Sequence, residues 1–302
     1  MLSSTLAKRI FFGSLMIGVV VGIVLLDGFL FGCGDGGSSA QSLRGLLVAI
    51  ILAALAGVGC AELRRLGRAG NFNPSLWGMI VITTALITEP CWSGWLKINS
   101  VYCLAATLML GIFLAGFLQV RNQGITGTIA NLGFTAFGVI YLGLGCWFIL
   151  AIRRFHPNPA GLWEELGYLA MFLTCAKCCD IGAYFTGRFL GQHKWVPTIS
   201  PKKTWEGLIG GIILSMIVAS LFAGLSGIIS MTAAPVFGLL VAVAGQLGDL
   251  LESMLKRDAG CKDSAGLIPE FGGVLDLLDS VIAAGPVAYF FLAMVSGAGE
   301  LK

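Results

Sequence analysis

The chain runs to 302 residues, of which 57% are hydrophobic and only 12% charged, with a formal net charge of +3. That charged fraction is about half the roughly 25% of a soluble domain, and a mean hydropathy of +0.89 makes lipid the main solvent, which excludes a soluble enzyme. The small positive charge is distributed by membrane side and no basic patch interleaves with aromatics, so nucleic acid is not expected as a partner.

Lys8 and Arg9 precede an apolar stretch from Ile10 to Phe31. That stretch is too long for a cleavable leader, so a retained first helix is predicted. Further apolar runs approach the roughly 20 residues that cross a hydrocarbon core. They complete about nine predicted spans, at 10–31, 43–61, 75–93, 99–119, 127–151, 164–186, 207–228, 233–252 and 275–296. The fold class expected is therefore all-α, a polytopic transmembrane helix bundle, and the 43 glycines suit close helix packing in lipid.

Placing the N-terminus in the cytoplasm puts thirteen of the nineteen Lys and Arg residues on that side, as the positive-inside rule requires. Arg153 and Arg154 are an awkward pair on the outer side. Two polar stretches, 187–206 and 253–274, then face the cytoplasm together. Residues 1–160 read as transmembrane helices of low motif content, and 161–302 as a catalytic transmembrane region. The nine cysteines form no disulfide framework. Cys175, Cys178 and Cys179 lie in a membrane run with no histidine near to complete a zinc site, so they read as buried thiols.

Chemistry-bearing residues gather in the last third. In DIGAYFTGR, Asp180, Tyr184 and Arg188 are spaced by four and share one helix face with Lys177. Charges at membrane depth are costly and by default functional; the structural alternative is a Lys177–Asp180 pair that locks two helices. In ISPKKTWEGLIGG, Ser200 reads as a helix N-cap with Pro201 at the first helical position and Lys202 and Lys203 in the first turn. Cations there oppose the helix dipole unless an anion such as phosphate is bound. In GQLGDLLESMLKRD, Gln246, Asp249, Ser253 and Lys256 recur along one stripe. A glycine- and proline-punctuated loop with Lys262 and Asp263 follows, then Asp276 and Asp279 one turn apart. Asp249, Asp276 and Asp279 are expected to converge at one depth. Such hard oxygen ligands suit Mg²⁺, and with Lys202, Lys203, Lys256, Arg257 and Lys262 around them they suit phosphoryl or nucleotidyl transfer.

The segment SMLKRDAGCKDSAGLIPEFGGVLDLLDS resembles the C-terminal signature of the CDP-diacylglycerol synthase family, also called phosphatidate cytidylyltransferases. DIGAYFTGRFLG and ISPKKTWEG resemble that family's two preceding motifs in the same order. The resemblance implies conversion of CTP and phosphatidate to CDP-diacylglycerol and pyrophosphate, with Mg²⁺ bound at the cytoplasmic face of the cell (inner) membrane. By position, Asp249 and Asp276 are the implied metal carboxylates, with Asp279 beside them. Ser200, Lys202, Lys203 and Thr204 are implied to hold phosphates, and Lys256, Arg257, Lys262 and Asp263 to line the same pocket, with Lys256 and Lys262 counted as catalytic. Asp180, Tyr184 and Arg188 are further substrate-binding candidates. A second cation and a homodimer are both compatible with this reading. Two residues depart from the common signature: Phe271 stands for its histidine and Leu277 for its arginine.

The lipid phosphate monoester is already ionised near neutral pH, its second pKa being about 6, so no histidine base is needed. The alternatives are a CTP-dependent lipid or polyprenol kinase, which transfers the γ-phosphoryl group; a membrane anion transporter, which turns over no nucleotide; and a catalytically dead scaffold.

Overall fold

A computed structural model describes residues 18, 22–27, 29, 45–155, 162–261 and 272–295, the side chains of 162–166 excepted. Helix dominates, as lipid requires, because backbone N–H and C=O groups at membrane depth must be paired within the chain. In order these are α1 (Leu46–Ala69), α2 (Leu76–Ile87), α3 (Glu89–Leu96), α4 (Ser100–Gln123), α5 (Thr128–Gly138), a π-helical segment (Val139–Leu144), α6 (Gly145–Arg153) and α7 (Leu162–Phe189). Strands β1 (Lys194–Val196) and β2 (Ser200–Thr204) follow, then α8 (Trp205–Ser226), α9 (Ala233–Asp258) and α10 (Val274–Val295).

Among the described residues, seven helical stretches are long and apolar enough to cross a membrane: α1, α4, the continuous run from α5 to α6, Gly167–Phe189 of α7, α8, α9 and α10. The chain is thus a multi-pass membrane protein. The expected first span, 10–31, lies largely outside the described residues. The expected span 75–93 is not one helix: α2 ends at Ile87 and α3 restarts at Glu89. Pro90 sits at the start of α3, where its missing N–H is tolerated, and it could not have continued α2. Thr88 closes α2 by donating its hydroxyl to the Thr84 carbonyl at 2.8 Å.

Helix ends are closed by the residues that follow or precede them. Ser75 caps α2 by accepting from Gly78 N–H, and Asn99 caps α4 by accepting from Val101 N–H. The reading of Ser200 as an N-cap is corrected. Ser200–Thr204 is a strand, antiparallel to β1 with Lys194 opposite Thr204 and Val196 opposite Ser200. The cap of α8 is Thr204, whose hydroxyl accepts from Gly207 N–H at 3.1 Å. Lys202 and Lys203 therefore lie on a hairpin that precedes the helix, not in its first turn.

The last four helices pack through small residues. A side chain at Gly211 of α8 would come within 2.7 Å of the Cys179 carbonyl on α7, and one at Gly248 of α9 within 2.5 Å of the Asp279 carbonyl on α10. This close approach is what small residues permit in a membrane, where no hydrophobic effect drives helices together. The described cysteines are all free thiols.

Contacts define two ends of the bundle. At one, Glu62 of α1 accepts from Val274 N–H and Leu275 N–H at 2.9 Å each, closing the N-terminus of α10, while Asn131 at the start of α5 accepts from Asn73 N–H at 2.7 Å. The hairpin and the C-terminus of α9 meet there too, through Arg257 Nε donating to the Ile199 carbonyl at 3.1 Å. At the other end, Arg153 pairs with Asp27 at 2.7 Å, both fully buried. Nearby, the buried Glu89 accepts from Ser100 Oγ and Trp147 Nε1.

Candidate active site

The first end carries an open cavity of about 320 Å³ between α7, the hairpin, α8, α9 and α10, within the ~300–1,000 Å³ range of small-molecule sites. Its chemistry is carboxylate and lysine. Asp180 enters from α7, Lys202 and Lys203 from β2, Asp249 and Lys256 from α9, and Asp276 and Asp279 from α10.

The charges are interlocked. Lys203 pairs with Asp249 at 2.8 Å, and Lys256 bridges Glu252, one turn back on α9, to Asp276 on α10. Asp276 also accepts from Gly273 N–H at 2.7 Å, so its carboxylate helps close the start of α10, where negative charge is favoured. Asp249 further accepts from Ser253 Oγ at 3.5 Å, which confirms the stripe read from the spacing. Asp180 accepts from Gln246 Nε2 at 3.4 Å and from Ser280 Oγ at 3.3 Å, and its Oδ2 lies 3.6 Å from Lys177 Nζ.

Oxygen atoms of Asp249, Glu252 and Asp279 lie within 4.8 Å of one another. Glu252 and Asp279 are buried, and Glu252 Oε1 has no hydrogen-bond partner among the described residues. Three carboxylates gathered in this way repel one another; Lys203 and Lys256 answer part of that charge, and the hard oxygens could hold a divalent ion such as Mg²⁺ or Ca²⁺. The expected trio was Asp249, Asp276 and Asp279; the geometry groups Glu252 with two of these and turns Asp276 toward Lys256.

Other expected residues are placed less centrally. Tyr184 lines the cavity and its hydroxyl accepts from Arg188 Nη1 at 2.8 Å, leaving Arg188 exposed at the rim. Ser200 and Arg257 do not line the cavity: Ser200 pairs with Val196 in the hairpin, and Arg257 ties α9 to it. Thr204 lines the cavity while capping α8. Lys262, Asp263 and Phe271 lie outside the described residues. His193 is an exposed partner of Glu206 at 2.6 Å and takes no part in the cavity.

Three contributors were not singled out from the sequence. Glu252 sits on the same stripe as Asp249 and Lys256, so its spacing was a usable signal. Trp195 lines the cavity with Lys203 Nζ 5.9 Å from its ring centre, and Glu62 acts from more than 200 residues away; neither contact has a local signature.

The sequence profile of the Cytidylyltransferase family matches residues 7–295. The chain belongs to that family. Among curated cytidylyltransferases and their relatives, the "Phosphatidate cytidylyltransferase" of Bacillus subtilis is 31% identical over 256 residues, covering 82% of this chain and 89% of that protein. The protein of the same name from Brucella suis is 35% identical over 208 residues, covering 67% of this chain and 72% of its own length. The "Uncharacterized protein YnbB" of Escherichia coli is 42% identical over 251 residues, covering 72% and 84%. All three matches extend well beyond the motif blocks, so the resemblance is not confined to the last third of the chain.

Proposed function

We propose that this cytidylyltransferase converts phosphatidate and CTP to CDP-diacylglycerol and pyrophosphate, in a cavity at the cytoplasmic face of the cell membrane. The observation that carries this reading is the union of a carboxylate trio, Glu252 and Asp279 buried and Asp249 half-buried, with Lys202, Lys203 and Lys256 in one cavity open at a membrane face. A polyphosphate needs cations and a metal, and a lipid substrate needs access from the bilayer.

Mg²⁺ held by Asp249, Glu252 and Asp279, with Asp276 adjacent, would supply charge neutralisation of phosphate oxygens at the reacting phosphorus. The chain's own residues do the rest. Lys202 and Lys203 stand on the hairpin where the β- and γ-phosphates can be clamped, and the leaving pyrophosphate carries its new negative charge toward them. Lys256 holds Asp276 and Glu252 in register, so the carboxylates need not reorganise as charge develops. The lipid phosphate oxygen attacks the α-phosphorus in line, a P–O bond forms to it, and the bond from the α-phosphorus to the β-bridging oxygen breaks. No proton need be abstracted, because the attacking monoester is already ionised.

The cytoplasmic assignment rests on charge. Arg64, Arg65, Arg68, Arg121, Arg188, Lys194, Lys202, Lys203, Lys256 and Arg257 belong to the cavity end, against Lys97, Arg153 and Arg154 at the other. Of the awkward outer pair Arg153 and Arg154, Arg153 is buried against Asp27 and its charge is answered there.

Detergent-purified protein given phosphatidate, CTP and Mg²⁺ is expected to release pyrophosphate in step with lipid product, and Asp276→Asn to abolish both. Uptake of an anion into proteoliposomes without nucleotide turnover would replace this reading with a transporter.

A further inference from the structure

Carboxylates and lysines suit the phosphate end of a nucleotide, and they leave its base without a partner. A base offers a flat face that proteins hold by stacking it on an aromatic ring. Of the residues that line the cavity, two carry such rings, Tyr184 on α7 and Trp195 on β1. The Tyr184 hydroxyl is held by Arg188 at the rim, and its ring packs edge-on against Phe185 with centres 5.5 Å apart.

Trp195 is placed differently. It lies between the hairpin pairs Lys194–Thr204 and Val196–Ser200, where β2 has more residues than β1 and the register is broken. Irregularities of this kind re-aim a side chain and recur beside active sites. The re-aimed ring is half-buried against the cavity, its centre 5.9 Å from Lys203 Nζ. That ammonium lies 2.8 Å from Asp249. These two steps, ring to ammonium and ammonium to carboxylate, put Trp195 within reach of a base whose phosphates sit between Lys203 and the carboxylates. Trp205, the first residue of α8, supports the ring at 5.8 Å with a tilt of 53°.

Tryptophan is also the usual anchor at a membrane–water interface. Trp205 fits that role, being 49% exposed and outside the cavity lining. Trp195 does not, because it faces the cavity.

We propose that Trp195 is the platform on which the cytosine ring of CTP stacks, while Lys203 beside it holds the phosphates. This rests on CTP being the nucleotide bound, but not on which of its bonds is broken. Stacking tolerates every base, so Trp195 supplies affinity and leaves the choice of cytosine to other groups.

The test uses the full-length protein in detergent with Mg²⁺ and no lipid, so that binding is read apart from turnover. Isothermal titration gives Kd for CTP and for inorganic tripolyphosphate, which has the phosphates and no base. Trp195→Leu is expected to weaken CTP by about 5–150-fold and to leave tripolyphosphate unchanged, while Trp195→Phe retains most of the CTP affinity. Unchanged CTP affinity in folded Trp195→Leu overturns the proposal. So does an equal loss for both ligands, which would make Trp195 a prop for the hairpin lysines. Should Trp195→Leu not fold, wild-type protein irradiated with 5-iodo-CTP decides, since the photolysed base joins the ring it stacks on. Label on Trp195 that unlabelled CTP displaces supports the platform; label on Tyr184 overturns it. CTP held through Trp195 with no CDP-diacylglycerol formed from phosphatidate would sink the phosphatidate reading and leave the platform standing.

Discussion

Asp249, Glu252 and Asp279 make the strongest demand at the residue scale, because three carboxylates within 4.8 Å are stable together only with compensation. Glu252→Gln keeps the size of the side chain and the Lys256 contact but removes one charge from the proposed metal site. The expected outcome is a rise of about 10–100-fold in the Mg²⁺ concentration for half-maximal activity, measured by titrating Mg²⁺ at saturating CTP. An unchanged titration would remove Glu252 from the proposed metal site. Spacing places Asp249 on one stripe of α9 and Asp276 with Asp279 one turn apart on α10, since three- and four-residue intervals on a helix put side chains on one face; that the two helices bring these residues to one cavity is a tertiary fact. The turn of Asp276 toward Lys256 was not legible, because that contact joins two helices through a loop whose path no local pattern specifies.

The hairpin and the start of α8 show what one hydroxyl contributes at the scale of an element. Thr204 ends β2, faces the cavity and caps α8 through Gly207 N–H. Thr204→Ala should lower stability by about 1 kcal/mol, read as a lower melting temperature in detergent, whereas Thr204→Ser should hold it. The segment SPKKT was readable as the entry to a helix, but the register of that entry was not. Ser200 and Thr204 are both competent caps, and pairing with Lys194–Val196 selects the second. Glu62 is a similar case on α1. Glu62→Ala would leave Val274 N–H and Leu275 N–H without their carboxylate acceptor, at about 1–3 kcal/mol for each buried donor left unpaired. The measured consequence should be a lower melting temperature and, because α10 carries Asp276 and Asp279, lower activity.

The far end of the bundle is held by charge, away from the cavity, and that concerns the whole molecule. Arg153 and Asp27 are fully buried and 2.7 Å apart. Arg153→Leu strands a buried carboxylate and should cost about 3–5 kcal/mol, seen as loss of folded protein on heating, while Arg153→Leu with Asp27→Leu should recover much of it. The multi-pass architecture was legible because apolar runs and lipid thickness leave few alternatives. The break between α2 and α3 was missed because hydropathy averages over Pro90, which interrupts the helix without interrupting the apolar run. The buried pair was missed because hydropathy ranks Arg153 as a polar flank; its partner lies on a different helix.

Isotope position tests most directly whether the cavity transfers the cytidylyl group of CTP to a lipid phosphate. Purified protein is incubated with phosphatidate, Mg²⁺ and CTP labelled with ³²P at either the α- or the γ-position, and the lipid is extracted. The expected result is α-label in the lipid, γ-label in released pyrophosphate, and neither product with Asp276→Asn. Label from the γ-position in the lipid would contradict it and make the protein a lipid kinase.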